Sequence, residues 1–178
     1  SELFLADRRD EVTGAVVFAG IEGSRPVLVE IEALVAPSTL ASPRRNVVGW
    51  DSSRLAMLTA VLEARCGVPL SGRDIFLNVA GGLKIAETAA DLAVAAALIS
   101  SVTGRPAPPR CVFFGEVALS AELRQVAQAD ARLKEAAKLG FDMAVMPRPR
   151  KKLAAPTGLS LGQPATLAEL IEIMGGVS

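Results

Sequence analysis

The sequence predicts an α/β fold in two layers, strands first and then helices alternating with strands. Three observations predict it. Two β-branched runs, residues 13–19 and 26–35, flank the polar turn Glu22-Gly23-Ser24-Arg25 and read as a hairpin. Residues 92–99 contain no polar side chain, so the helix they form is apolar on every face and must be buried; it is too short to span a membrane. Beyond it, helical and β-branched runs alternate to the end of the chain.

Taken in order, residues 1–12 are a lead-in carrying the charge run Asp7-Arg8-Arg9-Asp10-Glu11, and residues 13–178 form one domain. After the hairpin, a proline-containing loop finishes in Pro43-Arg44-Arg45-Asn46, and 47–49 is a short strand. Asp51 or Ser52 caps a helix to about residue 65, with Leu55, Leu58 and Leu62 on one face and Gly67 and Pro69 ending it. Residues 73–79 form a strand, expected beside the core helix, that leaves through Gly81-Gly82. Thr88 is the expected N-cap of the core helix, with Asp91 closing a capping box, and Gly104 its end. A strand over 110–119, a short run at 123–126 and a helix from 127 to 139 follow. Residues 143–146 form a buried strand that meets the basic loop Pro147-Arg148-Pro149-Arg150-Lys151-Lys152; 159–161 is an edge strand and 165–174 the last helix.

Composition narrows the function. Nineteen basic and nineteen acidic residues cancel, so attraction for an anionic partner must come from local patches. The chain has no histidine, which removes the commonest general base and metal ligand. Cys66 and Cys111 stand alone in apolar contexts and are expected as buried thiols in a reducing cytoplasm. No signal peptide is visible at the start. Two basic clusters remain. Arg44 and Arg45 follow a proline, with Arg54 on the next helix; Arg148, Arg150, Lys151 and Lys152 are stiffened by Pro147 and Pro149. Lys84, after the double glycine, is a further exposed charge.

Several motifs carry a resemblance. Asn78-Val-Ala-Gly-Gly-Leu-Lys-Ile85, Ala90-Asp-Leu-Ala-Val-Ala95, Gly115-Glu-Val-Ala-Leu-Ser120, Arg124-Gln-Val126 and Leu133-Lys-Glu-Ala-Ala-Lys-Leu-Gly-Phe141 resemble the C-terminal domain of the bacterial RadA (Sms) family. So do Arg25-Pro-Val-Leu-Val-Glu-Ile31 and the segment from Pro43 through Trp50 to Arg54. That domain is similar to the proteolytic domain of Lon and has the ribosomal protein S5 domain 2-like fold. Lon proteases use a serine–lysine dyad, in which a neutral lysine takes the serine proton. Aligned on these motifs, Ala89 falls at the nucleophile position and Asp130 at the base position. The resemblance therefore implies a domain without peptidase chemistry.

It also implies a role in DNA repair and recombination, through branch migration on single-stranded or branched DNA by a hexameric ring that works with the RecA recombinase. ATP and magnesium would belong to an ATPase core, and zinc to an N-terminal finger. Neither unit is in this sequence: there is no GxxxxGK[ST] phosphate loop and no cysteine quartet. No cofactor or metal is expected in the domain itself. Arg44, Arg45, Arg54, Lys84, Arg148, Arg150, Lys151 and Lys152 are the candidate DNA contacts, and the expected site is cytoplasmic. Two other readings stand beside this one: an oligomerisation module without DNA contact, and a residual peptidase using Thr88 or Lys134.

Overall fold

The computed structural model describes residues 12–177. The charge run at Asp7–Glu11, with nearly all of the expected lead-in, lies outside them. Strand β1 (Ala15–Glu22) and strand β2 (Arg25–Pro37) form the expected hairpin, in register from Ala15 opposite Glu32 to Glu22 opposite Arg25. The two-residue turn needs a left-handed backbone, and Gly23 supplies it at φ +66°. In β2 the apolar set Val29, Ile31, Ala33 and Val35 is buried while Glu32 and Leu34 face out, the alternation of a strand with one open face.

Strand β3 (Arg45–Val48) leads into helix α1 (Ser52–Cys66) and strand β4 (Arg73–Val79). Asp51 caps α1, its carboxylate accepting the Ser53 N–H at 2.8 Å, and Gly67 closes the helix in the left-handed region. Helix α2 (Asp91–Thr103) is the core helix, and every residue from Leu92 to Ile99 has no exposed surface. Strand β5 (Cys111–Phe113), a small ribbon of β6 (Glu116–Val117) and β7 (Leu123–Arg124), helix α3 (Ala129–Lys138), strands β8 (Met143–Val145) and β9 (Ser160–Gly162), and helix α4 (Leu167–Ile173) complete the described chain.

The main sheet has seven strands in the order β3-β4-β2-β1-β5-β8-β9. Only β2 runs against its neighbours; the β3–β4, β1–β5, β5–β8 and β8–β9 pairs are parallel. The mixed α/β class read from the sequence holds, and β9 is the edge strand expected there. Helix α2 packs on β2 and β1, and α3 packs on the same two strands. Buried Ala15, Val17 and Ala19 alternate with buried Val16 and Phe18, so β1 is covered on both faces. No described helix is long and apolar enough to cross a membrane.

Three local expectations are corrected. The capping box does not form: Thr88 lies in a separate 3-10 turn (Thr88–Ala90) and donates its hydroxyl to Glu116, while Asp91 turns inward. The first turn of α2 is tied instead to Gly115, whose carbonyl accepts the Leu92 N–H at 3.0 Å and whose N–H donates to the Ala89 carbonyl at 2.8 Å. The same tie breaks the expected strand over 110–119 into β5 and β6, because the backbone of Gly115 is committed to α2. The strand at 73–79 is not the chief neighbour of the core helix; β2 lies between β4 and β1.

Candidate nucleic-acid interface

Strand direction sorts the basic residues. Because β2 alone is reversed, the starts of β3, β4 and β5 share one end of the sheet, and the loops that leave β4, β5 and β8 share the other. Arg44 and Arg45 sit at the first end. Lys84, Arg54 and the 148–152 loop belong to the second, which the positions of Ala89 and Asp130 also border. One DNA strand running along a single end cannot meet both basic clusters.

At the first end Arg44 and Arg45 are engaged. Asp74 is 4% exposed and accepts the Arg44 backbone N–H at 2.7 Å, with the Arg44 guanidinium 3.1 Å from its other oxygen. These bonds, the Arg44 N–H above all and a Ser38 hydroxyl next, hold the Asp74 carboxyl below its ordinary pKa. The Arg44 guanidinium also lies 5.9 Å from the Phe76 ring centroid. Arg45 donates to the Leu70 carbonyl at 3.2 Å.

At the second end, Arg54 is likewise taken up inside the protein. Its Nε donates to Asp91 at 2.9 Å and its second nitrogen to the other carboxylate oxygen, which also accepts the Val117 N–H at 3.0 Å. The Asp91 side chain has no exposed surface. Burial pushes its carboxyl above the usual range while Arg54 pulls it back, and the hydrogen bonds to Asp91 raise Arg54 in turn. Arg54 is therefore a structural partner of Asp91 rather than a displayed phosphate contact.

Ala89, in the turn before α2, is 3% exposed, and Asp130 stands exposed in the first turn of α3. Between these segments lies an ion pair that the sequence did not single out. Arg132, 3% exposed, places a guanidinium nitrogen 2.6 Å from Glu87 and donates to the Ala19 and Ala127 carbonyls at 2.8 and 3.0 Å. Its guanidinium lies 5.6 Å from the Phe114 ring centroid, and Glu87 also accepts the Ile21 N–H at 2.7 Å. For Glu87 the available signal was a charge set just before the apolar run at 92–99; Arg132 stands in the polar segment 130–138, where nothing local marks it. Lys134 is exposed one turn further along α3.

The 148–152 loop is pinned at its base and open at its tip. The Arg148 N–H donates to Pro164, its carbonyl accepts from Gln125, and its guanidinium pairs with Glu169 at 3.2 Å. Arg150, Lys151 and Lys152 are exposed and make no ion pair with any described residue, and the same holds for Lys84. Close below, the Pro147 ring fills the space over Gly115. A Cβ at residue 115 would lie 2.7 Å from that ring, so only glycine fits where β5 ends.

The family model described as the ChlI subunit of Mg-chelatase matches residues 50–150, more than half of the chain. The chain belongs to this family. Its curated relatives are named DNA repair protein RadA. That of Brucella abortus is 57% identical over 171 residues, covering 96% of this chain and 37% of the relative. That of Rickettsia felis is 56% identical over 80% of the chain and 32% of the relative, and that of Pseudomonas aeruginosa 50% identical over 90% and 36%. The chain thus matches one domain of RadA and spans about a third of the length of these relatives. The RadA resemblance carried by the sequence motifs is borne out. No group of three or more potential metal-ligating acidic or cysteine side chains occurs among the described residues of this RadA-like domain.

Proposed function

We propose that this chain is the non-proteolytic, Lon-like domain of a RadA-type DNA repair protein, a scaffold of a hexameric ring and a contact tier for single-stranded DNA. The observation that carries the reading is the Arg150-Lys151-Lys152 tip, three exposed cations that make no ion pair with any described residue. The tip projects at the sheet end where Ala89 and Asp130 stand in place of a serine and a lysine. A methyl group cannot attack a carbonyl, and a carboxylate cannot accept a proton from a nucleophile that is missing. Phosphate contacts by Arg and Lys suit sequence-independent, salt-sensitive binding. Within a cytoplasmic parent protein, ATP, magnesium and zinc would be held outside this domain, and branch migration alongside RecA is the wider activity the domain serves. With zero net charge, one copy binds weakly, and six copies around a strand supply avidity.

The test is fluorescence anisotropy with a single-stranded oligonucleotide over a salt series. Arg150→Ala/Lys151→Ala/Lys152→Ala is expected to weaken binding and to flatten the slope of log K against log salt by about 2, at ~0.7 per lost phosphate contact. Arg44→Ala/Arg45→Ala, at the opposite end, is expected to leave the slope unchanged. An assembled wild type that binds no DNA at low salt would move the assignment to an oligomerisation module.

A further inference from the structure

Beneath the basic loop is a cleft of about 350 Å3 that phosphate contacts leave unexplained. Its walls are Phe114, Val126, Met146, Pro147, Pro149 and Leu153, and the mouth carries Arg150 and Lys151. No carboxylate of a described residue lines it. Gln125, also at the cleft, donates its amide to the Arg148 carbonyl, which leaves its own carbonyl oxygen to accept from a ligand. The volume is at the lower bound of small-molecule sites, enough for one planar heterocycle. An apolar recess, a hydrogen-bonding amide and two cations at the mouth match an anionic ligand with a flat apolar body.

The geometry points to this cleft as the receptor of one unstacked base from a bound single strand, with Arg150 and Lys151 on the adjoining phosphates. The inference rests on the proposed DNA contact and adds what the base itself does. Proteins that take a base out of its stack hold it between aromatic or apolar side chains and hydrogen-bond its edge. Here the walls are apolar, with Phe114 at the floor and 1% exposed, and Gln125 is placed for the edge. Charge complementarity and the DNA repair name of the relatives favour a nucleotide unit over an acidic peptide. The 10-residue helix α3 begins at Ala129 on the cleft wall, so a larger side chain there fills the recess without touching the basic tip.

The test compares single-stranded oligodeoxyadenylate with a sugar–phosphate strand of the same length without bases, using the whole 178-residue chain. Wild type is expected to bind the strand with bases about 10-fold more tightly at equal salt, the scale of one held base. Ala129→Leu, which fills the cleft, and Leu153→Ala, which removes a wall, are expected to abolish that preference and keep the salt slope. Arg150→Ala/Lys151→Ala is expected to weaken both strands and flatten the slope. A 2-aminopurine in the strand should brighten on binding wild type, as it leaves its own stack, and not on binding Ala129→Leu.

Equal binding of the two strands with a steep salt slope overturns the base site and leaves the phosphate contact standing. Binding of neither strand overturns both. Mononucleotide binding as tight as the strand, or displacement of the strand by a Glu-rich peptide bearing one Phe, assigns the cleft to another ligand and overturns the inference.

Discussion

Asp74 and Asp91 are both buried next to arginines, yet their protonation is pushed in opposite directions. Asp74 is bonded by the Arg44 backbone and by hydroxyl and guanidinium groups, and its folded-state value is lowered. Such a group contributes stability above the unfolded carboxylate value and loses it as pH falls through the folded one. The stability gap between wild type and Asp74→Asn, by urea denaturation, should therefore shrink between neutral pH and about pH 3. Asp91 has the reverse sign. With its value raised by burial, its titration favours the folded state below the unfolded carboxylate value, and that contribution is lost as pH rises through the folded one. Opposing that rise are the bonds Asp91 accepts from Arg54 and the Val117 N–H. Asp91→Ala leaves Arg54 without its partner and should cost on the order of 3–5 kcal/mol, whereas Arg54→Met/Asp91→Leu should recover much of that loss in the same urea titration. A gap that stays open for the double variant would show that the pair contributes more than mutual neutralisation.

At the scale of elements, the apolar run at 92–99 and the hairpin with its glycine turn were legible because period and turn chemistry are local. Helix α1, with its Asp51 cap and Gly67 stop, was read for the same reason. What stayed hidden is non-local. Thr88 and Asp91 have capping-box spacing, but Glu116 and Arg54 compete for them from distant parts of the chain and win. The single strand expected over 110–119 breaks because Gly115 bonds Ala89 and Leu92, which no window around Gly115 reveals. The site divides in the same way. The cations were visible, but not which of them are spent on Asp74, Asp91 or Glu169. Gly115 links β5, α2 and the basic loop at one point, so Gly115→Ala should drive its methyl into Pro147. A loss of about 1–3 kcal/mol in chemical denaturation is expected.

Across the whole molecule, the sheet separates Arg44 and Arg45, bonded to Asp74 and the Leu70 carbonyl, from the end that carries Arg150, Lys151 and Lys152, which make no ion pair with any described residue. That second end is where α/β sheets with parallel strands commonly place their ligands, beyond the carboxyl ends of the strands. Here it borders the Ala89 and Asp130 positions, and the Glu87–Arg132 pair lies between their segments. This arrangement bears on ancestry. Had a protease preceded this domain, the way back would not be two codons long. A serine at 89 would inherit a site only 3% exposed, on a turn whose carbonyl is already bound by Gly115. A lysine at 130 would stand in the same helical turn as the buried Arg132 cation. Ala89→Ser/Asp130→Lys should accordingly give no hydrolysis of an unfolded protein substrate. On that account a return to hydrolysis would need the packing around residue 89 and the Glu87–Arg132 pair to change as well, not the two missing side chains alone.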